Sequence, residues 1–141
     1  MDTPVPQRLI LHRKSRCLEV IYADDSVRLP FEYLRVYSPS AEVRGHGGGE
    51  PMLVPGKRNV GITRVEPVGR YAVRLVFDDG HDSGLYSWNL LWELAEQQAA
   101  LWSRYLERLE TTGMSRDSDI VKLAALPRKH SPASSGGSDD S

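Results

Sequence analysis

Asp78, Asp79 and Asp82 surround His81 within five consecutive residues of the stretch DDGHDSGLYSW, which runs from Asp78 to Trp88. A histidine so placed can serve as a metal ligand, as an acid/base catalyst, or as a structural pin between a strand and a helix. His46, in the loop sequence GHGGGEPMLVPGKRN, is the other histidine whose surroundings suit a ligand; His12 falls at a hairpin end and His130 in the tail. His46, His81 and a carboxylate would make the ligand set of a non-haem iron enzyme. Asp82 follows His81 directly, so the usual His-x-Asp spacing on one strand is missing. The metal reading thus names His81 and His46 as ligands and Zn or Fe as the ion; the competing reading has no cofactor.

Other chemistries fail on missing residues. Gly56 and Lys57 are followed by Arg58, where a phosphate-binding loop needs Ser or Thr. HGGG at His46 to Gly49 resembles the oxyanion loop of esterases, but no Gly-x-Ser-x-Gly elbow exists to supply the nucleophile. Asp78, Asp79 and Ser83 suit a turn, Gly80 can supply a positive φ, and Ser87 suits a helix cap. No catalytic residue is assigned, and the chain is expected not to be an enzyme.

The balance of 18 basic and 19 acidic residues gives no broad phosphate-binding face, so nucleic acid is not an expected partner. The basic run HRKSR, His12 to Arg16, reads as a solvated hairpin tip. Cys17 is the one cysteine, which excludes an intramolecular disulfide and thiol-rich zinc signatures; in a strand it reads as a small buried hydrophobe. No apolar run approaches the roughly 18 residues of a membrane span, and no leader pattern opens the chain. A cytoplasmic location without membrane contact is the expectation.

The elements that must position His81 are legible by period. RLILH and CLEVIY form a first hairpin, ADDS turns the chain into VRL, and Pro30 opens a short helix that buries Phe31, Leu34 and Val36. Ser38 to Arg58 holds five glycines and three prolines in 21 residues and reads as a long loop. VGITRVEP and YAVRLVF form a second hairpin with Tyr71, Val73, Leu75 and Phe77 on one face. A long helix then starts at Ser87 and ends before Gly113, its core stripe running through Leu91, Ala95, Gln98, Trp102, Tyr105 and Leu109.

Flanking apolar residues widen that stripe to an arc of roughly 200°. Trp88, Trp92, Leu101 and Trp102 therefore form a candidate interaction surface, covered either by a protein partner, as in a dimer, or by the glycine-rich loop. IYADDSVRLPFEYLRV (Ile21 to Val36) and VFDDGHDSGLYSWNLL (Val76 to Leu91) both read as strand, Asp-Asp turn, connector and helix, as duplication or chance would give. Residues 1–6 read as a flexible arm, 7–112 as one domain, and 113–141 as a disordered tail.

LRVYSPSAEVRGHG, VEPVGRYAVRLVFDDGHDSGLYSW and the helix that follows resemble a known family over about Leu9 to Leu109. The family is the small domain at the N-terminus of γ-butyrobetaine and trimethyllysine hydroxylases, also found alone as the domain of unknown function 971. The resemblance implies a zinc module in the hydroxylases, with a Leu-Arg-x-x-Cys-Pro-Cys-x-x-Cys stretch and a distant histidine as ligands. Carried over, the thiols fall on Ser38, Ser40 and Val43 and the histidine on His81. Hydroxyls are poor zinc ligands and valine is none, so the resemblance implies a degenerate site in which His81 hydrogen-bonds across the corner to Ser38 or Ser40.

The oxygenase chemistry belongs to a separate domain of those enzymes. Fusion of the small domain to iron–sulfur carrier ATPases suggests, by association, an accessory role in iron–sulfur assembly. The expectation is an α+β domain, a small antiparallel or mixed sheet of two hairpins with a long C-terminal helix packed on it. Its expected function is that of a non-catalytic protein-interaction or dimerisation module, the alternative being a metal-binding accessory factor in iron or iron–sulfur cluster handling.

Overall fold

The computed structural model describes residues 3–40 and 51–117. His46 and Val43 lie outside the described residues, as do much of the long loop and most of the tail. The chain is α+β and is built as two similar halves. Strands β1 (Arg8–His12), β2 (Cys17–Ile21) and β3 (Ser26–Pro30) form one antiparallel sheet in the order β1-β2-β3 and run straight into helix α1 (Phe31–Val36). Strands β4 (Ile62–Val68), β5 (Ala72–Phe77) and β6 (Leu85–Ser87) form a second in the order β4-β5-β6 and run straight into helix α2 (Trp88–Glu96), with α3 (Gln98–Thr112) beyond.

Each expected hairpin thus gains a third strand, which in both halves stands where the echo of strand, Asp-Asp turn, connector and helix had a connector. Period-2 alternation sets the faces: Val73, Leu75 and Phe77 of β5 point into the core. Tyr71, expected on that face, is 74% exposed because it precedes β5 in the hairpin turn, where its carbonyl accepts from the Trp88 amide. Cys17 is buried in β2, and burial pushes its thiol up.

The long helix is two helices. Gln97 departs from helical geometry at φ −106° and ψ 19°, so α2 and α3 present different faces to the core. Ser87 caps α2, its hydroxyl accepting from the Leu90 amide at 3.1 Å, and α3 ends at Gly113. α2 packs on β3 and β6, which joins the halves. Part of the basic hairpin tip joins them as well: Arg16 donates to the Val60 carbonyl at 2.5 Å, so this side chain is joinery rather than solvated charge.

Buried tyrosines tie the elements together by donating to backbone carbonyls. Tyr86 reaches Leu34 O at 2.6 Å, Tyr33 reaches Leu94 O at 2.7 Å, and Tyr105 reaches Val54 O at 2.7 Å. Leu34 and Leu94 lie near helix ends, where carbonyls lose their intrahelical partners, and the phenols satisfy them. Burial pushes all three phenols well above the ordinary tyrosine range and keeps them neutral donors.

Residues 115–117, placed in the tail by composition, fasten to the domain. The Gly56 and Arg58 amides donate to the carbonyls of Ser115 and Arg116, each at 2.9 Å. Arg116 donates to both carboxylate oxygens of buried Glu32, at 2.9 and 2.6 Å. No helix among the described residues is long and apolar enough to cross a membrane.

Tyr86→Phe leaves the Leu34 carbonyl without its donor at no change of shape. It is expected to cost about 1–3 kcal/mol in urea unfolding with an unchanged slope.

Candidate functional site

The site forms where the exit of α1 meets the turn after β5. On the turn side, Asp79 Oδ1 accepts from the His81 amide at 3.1 Å, and the His81 carbonyl accepts from the Phe77 amide at 2.9 Å. Gly80 holds φ at 92°, and Asp78 is pinned to the neighbouring loop by the Gly61 amide at 3.0 Å. The imidazole is thereby turned inward and is only 5% exposed.

On the helix side, α1 ends at Val36 and the chain turns through Tyr37 to Ser40. Ser38 is fully buried, and its Oγ lies 2.8 Å from His81 Nε2. Ser40 Oγ lies 3.3 Å from the same nitrogen, and the Ser40 amide donates to Ser38 Oγ at 3.3 Å. The hydrogen bond across the corner is therefore made, to both hydroxyls. Gly84 makes room for it, because a Cβ there would stand 2.5 Å from Ser38 Oγ.

Asp79 is the electrostatic centre. Its Oδ2 accepts from Arg35 Nε at 2.9 Å and from Lys57 Nζ at 2.6 Å. Burial pushes the Asp79 carboxyl up, but the Lys57, His81-amide and Arg35 hydrogen bonds, with the Arg35 charge, together hold it below the ordinary carboxylate range. Arg35 also lies 5.9 Å from the centre of the Phe77 ring. Sequence reasoning gave no role to Arg35 or Lys57. The available signal was an arginine between Leu34 and Val36 in a short helix that buries Phe31, Leu34 and Val36, where a guanidinium carried inward needs an anion.

A serine hydroxyl on a histidine nitrogen is the geometry of a nucleophile and its base. Here Ser38 has no solvent exposure, and Asp79 contacts the backbone of His81. No substrate atom can approach Ser38 Oγ in this arrangement. Nor do these donors fit zinc: two neutral hydroxyls and one imidazole lack the thiolate or carboxylate charge such an ion needs. Among the described residues, no three His, Cys, Asp or Glu side chains are grouped to hold a metal.

The aromatic residues singled out for interaction are engaged within the chain. Trp88 Nε1 donates to the Arg70 carbonyl at 2.7 Å, and Trp92 meets Tyr22 edge-on at 5.1 Å. Trp102 packs against Tyr33 and Tyr105 while Arg116 lies over its ring at 5.2 Å, and Leu101 is partly buried against the core. The break at Gln97 lets α2 and α3 bury different sectors, which accounts for much of the wide apolar arc. Among the described residues an apolar groove lies open beside Tyr33, Ala99 and Trp102.

The family model described as gamma-butyrobetaine hydroxylase-like, N-terminal, matches residues 9–92. Two NMR solution structures are similar to this chain. One is 52% identical, covering 84% of this chain and 94% of its own at a TM-score of 0.74; the other is 55% identical, covering 82% and 86% at 0.72. A crystal structure of a protein of unknown function from Acidithiobacillus ferrooxidans, described as a member of the domain of unknown function 971 family, is 40% identical. It covers 64% of this chain and 91% of its own, with a TM-score of 0.54. No curated protein matches.

Gly84→Ala is expected to destabilise the domain by about 1–3 kcal/mol, since the methyl strikes Ser38 Oγ. In a Ser38→Ala background the additional cost of Gly84→Ala should shrink, a coupling read from a double-mutant cycle in urea.

Because the Asp79 carboxyl is held low in the folded chain, its contribution is present above the ordinary carboxylate value and is lost as pH falls through the folded one. Unfolding midpoints measured from pH 7 down to pH 2 should therefore fall less steeply for Asp79→Asn than for the parent chain.

Proposed function

The chain belongs to the gamma-butyrobetaine hydroxylase-like N-terminal family, and from that premise we propose that it is a non-catalytic protein-interaction module of the cytoplasm. The observation that carries this reading is the closure of the Ser38–Ser40–His81 constellation, the serine–histidine grouping seen among the described residues. Ser38 is fully buried, Ser40 and His81 nearly so, and both hydroxyls lie within hydrogen-bond distance of His81 Nε2. The hydroxyls and imidazole act as a pin that holds α1 against the β5–β6 turn. The lone, buried Cys17 fits a reducing compartment.

The groove beside Tyr33, Ala99 and Trp102 is apolar and aromatic rather than charged, which suits contact with protein. Trp102 and Leu101 lie in the half-buried helical region around it, where a module of this kind would meet a partner or a second copy of itself.

A second reading, a metal-binding accessory factor in iron or iron–sulfur handling, is favoured by one observation: Nε2 of His81 faces the Ser38–Ser40 segment, where the resembling hydroxylase domains carry thiols. His46 and Val43 belong to the same reading.

Untagged protein analysed for metals by mass spectrometry should carry well under one equivalent of Zn or Fe, with its thermal midpoint unmoved by chelator. A full equivalent that disappears in His81→Ala would transfer the conclusion to the second reading. Light scattering across a concentration series tests self-association, and a mass that rises with concentration and falls in Ala99→Glu would support contact through the groove.

A further inference from the structure

Among the described residues the two sheets have four outer strands, β1, β3, β4 and β6, and three of them are blunted against further pairing. The Tyr22 amide donates to the Asp25 carbonyl and the Phe31 amide to the Arg16 carbonyl, so the even-numbered residues of β2 bond to Val27 and Leu29 of β3. Pro30 therefore faces the outer side of β3, where it has no N–H to offer. In the second sheet the Leu75 amide donates to the Gly84 carbonyl and the Trp88 amide to the Tyr71 carbonyl, so β5 bonds to β4 through Ala72, Arg74 and Val76. That turns Pro67 to the outer side of β4, and Arg13 covers the carbonyls of Ile62 and Thr63 at the start of that strand, each at 3.4 Å. β6 is only three residues long.

β1 has no such protection. Cys17, Glu19 and Ile21 of β2 bond to His12, Ile10 and Arg8, which leaves the N–H and C=O groups of Leu9 and Leu11 pointing away from the sheet, in a strand without proline. Leu9 and Leu11 lie opposite buried Val20 and Leu18 and pack against the core themselves, so apolar side chains on an added strand would extend the same face. Charge selects the occupant. From Thr3 to Leu18 the chain carries the cations Arg8, Arg13, Lys14 and Arg16 and no acid. Arg8 and Lys14 are exposed, and no ion pair among the described residues engages them. Antiparallel pairing with a second copy about Ile10 sets Arg8 of each chain towards Arg13 and Lys14 of the other, where like charges repel. An acidic strand meets the opposite field.

We infer that the outer edge of β1 is a docking site for an extended acidic segment of a protein partner. The segment adds antiparallel to β1, its apolar residues beside Leu9 and Leu11 and its acids towards Arg8 and Lys14. The inference rests on the interaction-module reading and names the partner's chemistry. Main-chain bonds to Leu9 and Leu11 supply affinity, and the alternation of apolar and acidic side chains supplies selection.

The test uses the full 141-residue chain, isotope-labelled and dilute, with a short blocked peptide alternating valine and glutamate as the probe. The Leu9 and Leu11 amides should exchange rapidly in the free chain, and the peptide should slow them by at least about tenfold, with nuclear Overhauser contacts from those residues to its valines. N-methylation of the valines, which removes the amides facing β1, should weaken binding by at least about fivefold, as should Arg8→Glu combined with Lys14→Glu. Both charges are exposed, so the reversal leaves the fold in place. Protection of Leu9 and Leu11 in the free chain overturns the inference, as does a peptide that leaves them unprotected or perturbs only the groove beside Trp102. Equal binding of a peptide with lysine in place of glutamate also overturns it. So does protection that grows with protein concentration alone, which would make a second copy the occupant. Metal analysis judges the interaction-module reading separately: a full equivalent lost in His81→Ala removes that reading, whereas the failures at β1 remove only the docking edge.

Discussion

An imidazole with 5% exposure must find a partner for its ring nitrogens, because a buried polar atom left unpaired costs about 1–3 kcal/mol. Nε2 of His81 finds one in Ser38 Oγ at 2.8 Å, with Ser40 Oγ behind it at 3.3 Å. That junction decides where α1 exits, because both serines lie on the chain just after the helix. It decides the residue at position 84, where a side chain would strike the hydroxyl. It also sets the β5–β6 turn, whose backbone is held by Asp79 from one side and by the Phe77 amide from the other. The ion pairs of Arg35 and Lys57 with Asp79 bring α1 and the loop before β4 to the same point. Hydroxyls can close such a corner without charge, whereas thiolates at the same positions would need a cation to balance them.

Much of this was legible in the residues. Alternation in YAVRLVF gave β5 its buried face, Ser87 and Gly113 marked the helical ends, and the positions of Ser38, Ser40 and His81 in the resembling stretches gave the corner its three members. Two features escaped. The break at Gln97 has no glycine or proline to announce it, and the apolar pattern runs through it without interruption, so one long helix was the natural expectation. The Asp79 centre escaped because Arg35 and Lys57 are 22 residues apart in sequence and meet only through tertiary packing. Composition likewise cannot reveal that Arg116 has a buried carboxylate waiting at Glu32, 84 positions away.

The break changes the reading of the aromatic side chains. A single helix with an apolar arc near 200° would need cover from outside the domain. Two helices meeting at Gln97 turn that arc in two directions: Leu91 and Leu94 of α2 and Tyr105 and Leu109 of α3 all become buried. Tyr33 of α1 and Tyr37 just beyond it then reach across to Leu94 O and Leu101 O, so the phenols of the first half satisfy carbonyls in the helices of the second. Among the described residues an apolar groove beside Trp102 lies open at this junction.

The likeness of the two halves separates scaffold from site. Both turns after the middle strand begin a return to a third strand and a helix, and both use aspartate locally: Asp25 Oδ1 accepts from the Ser26 amide in the first, Asp79 Oδ1 from the His81 amide in the second. The first turn spans residues 22–25 between β2 and β3; the second spans 78–84 between β5 and β6. The second is longer by three residues, 7 against 4, and it holds His81. A corner built from such an extension is an addition to a meander that closes without it. The extension therefore serves the junction between the halves, and its chemistry is best understood as the means by which α1 is fixed beside the β5–β6 turn.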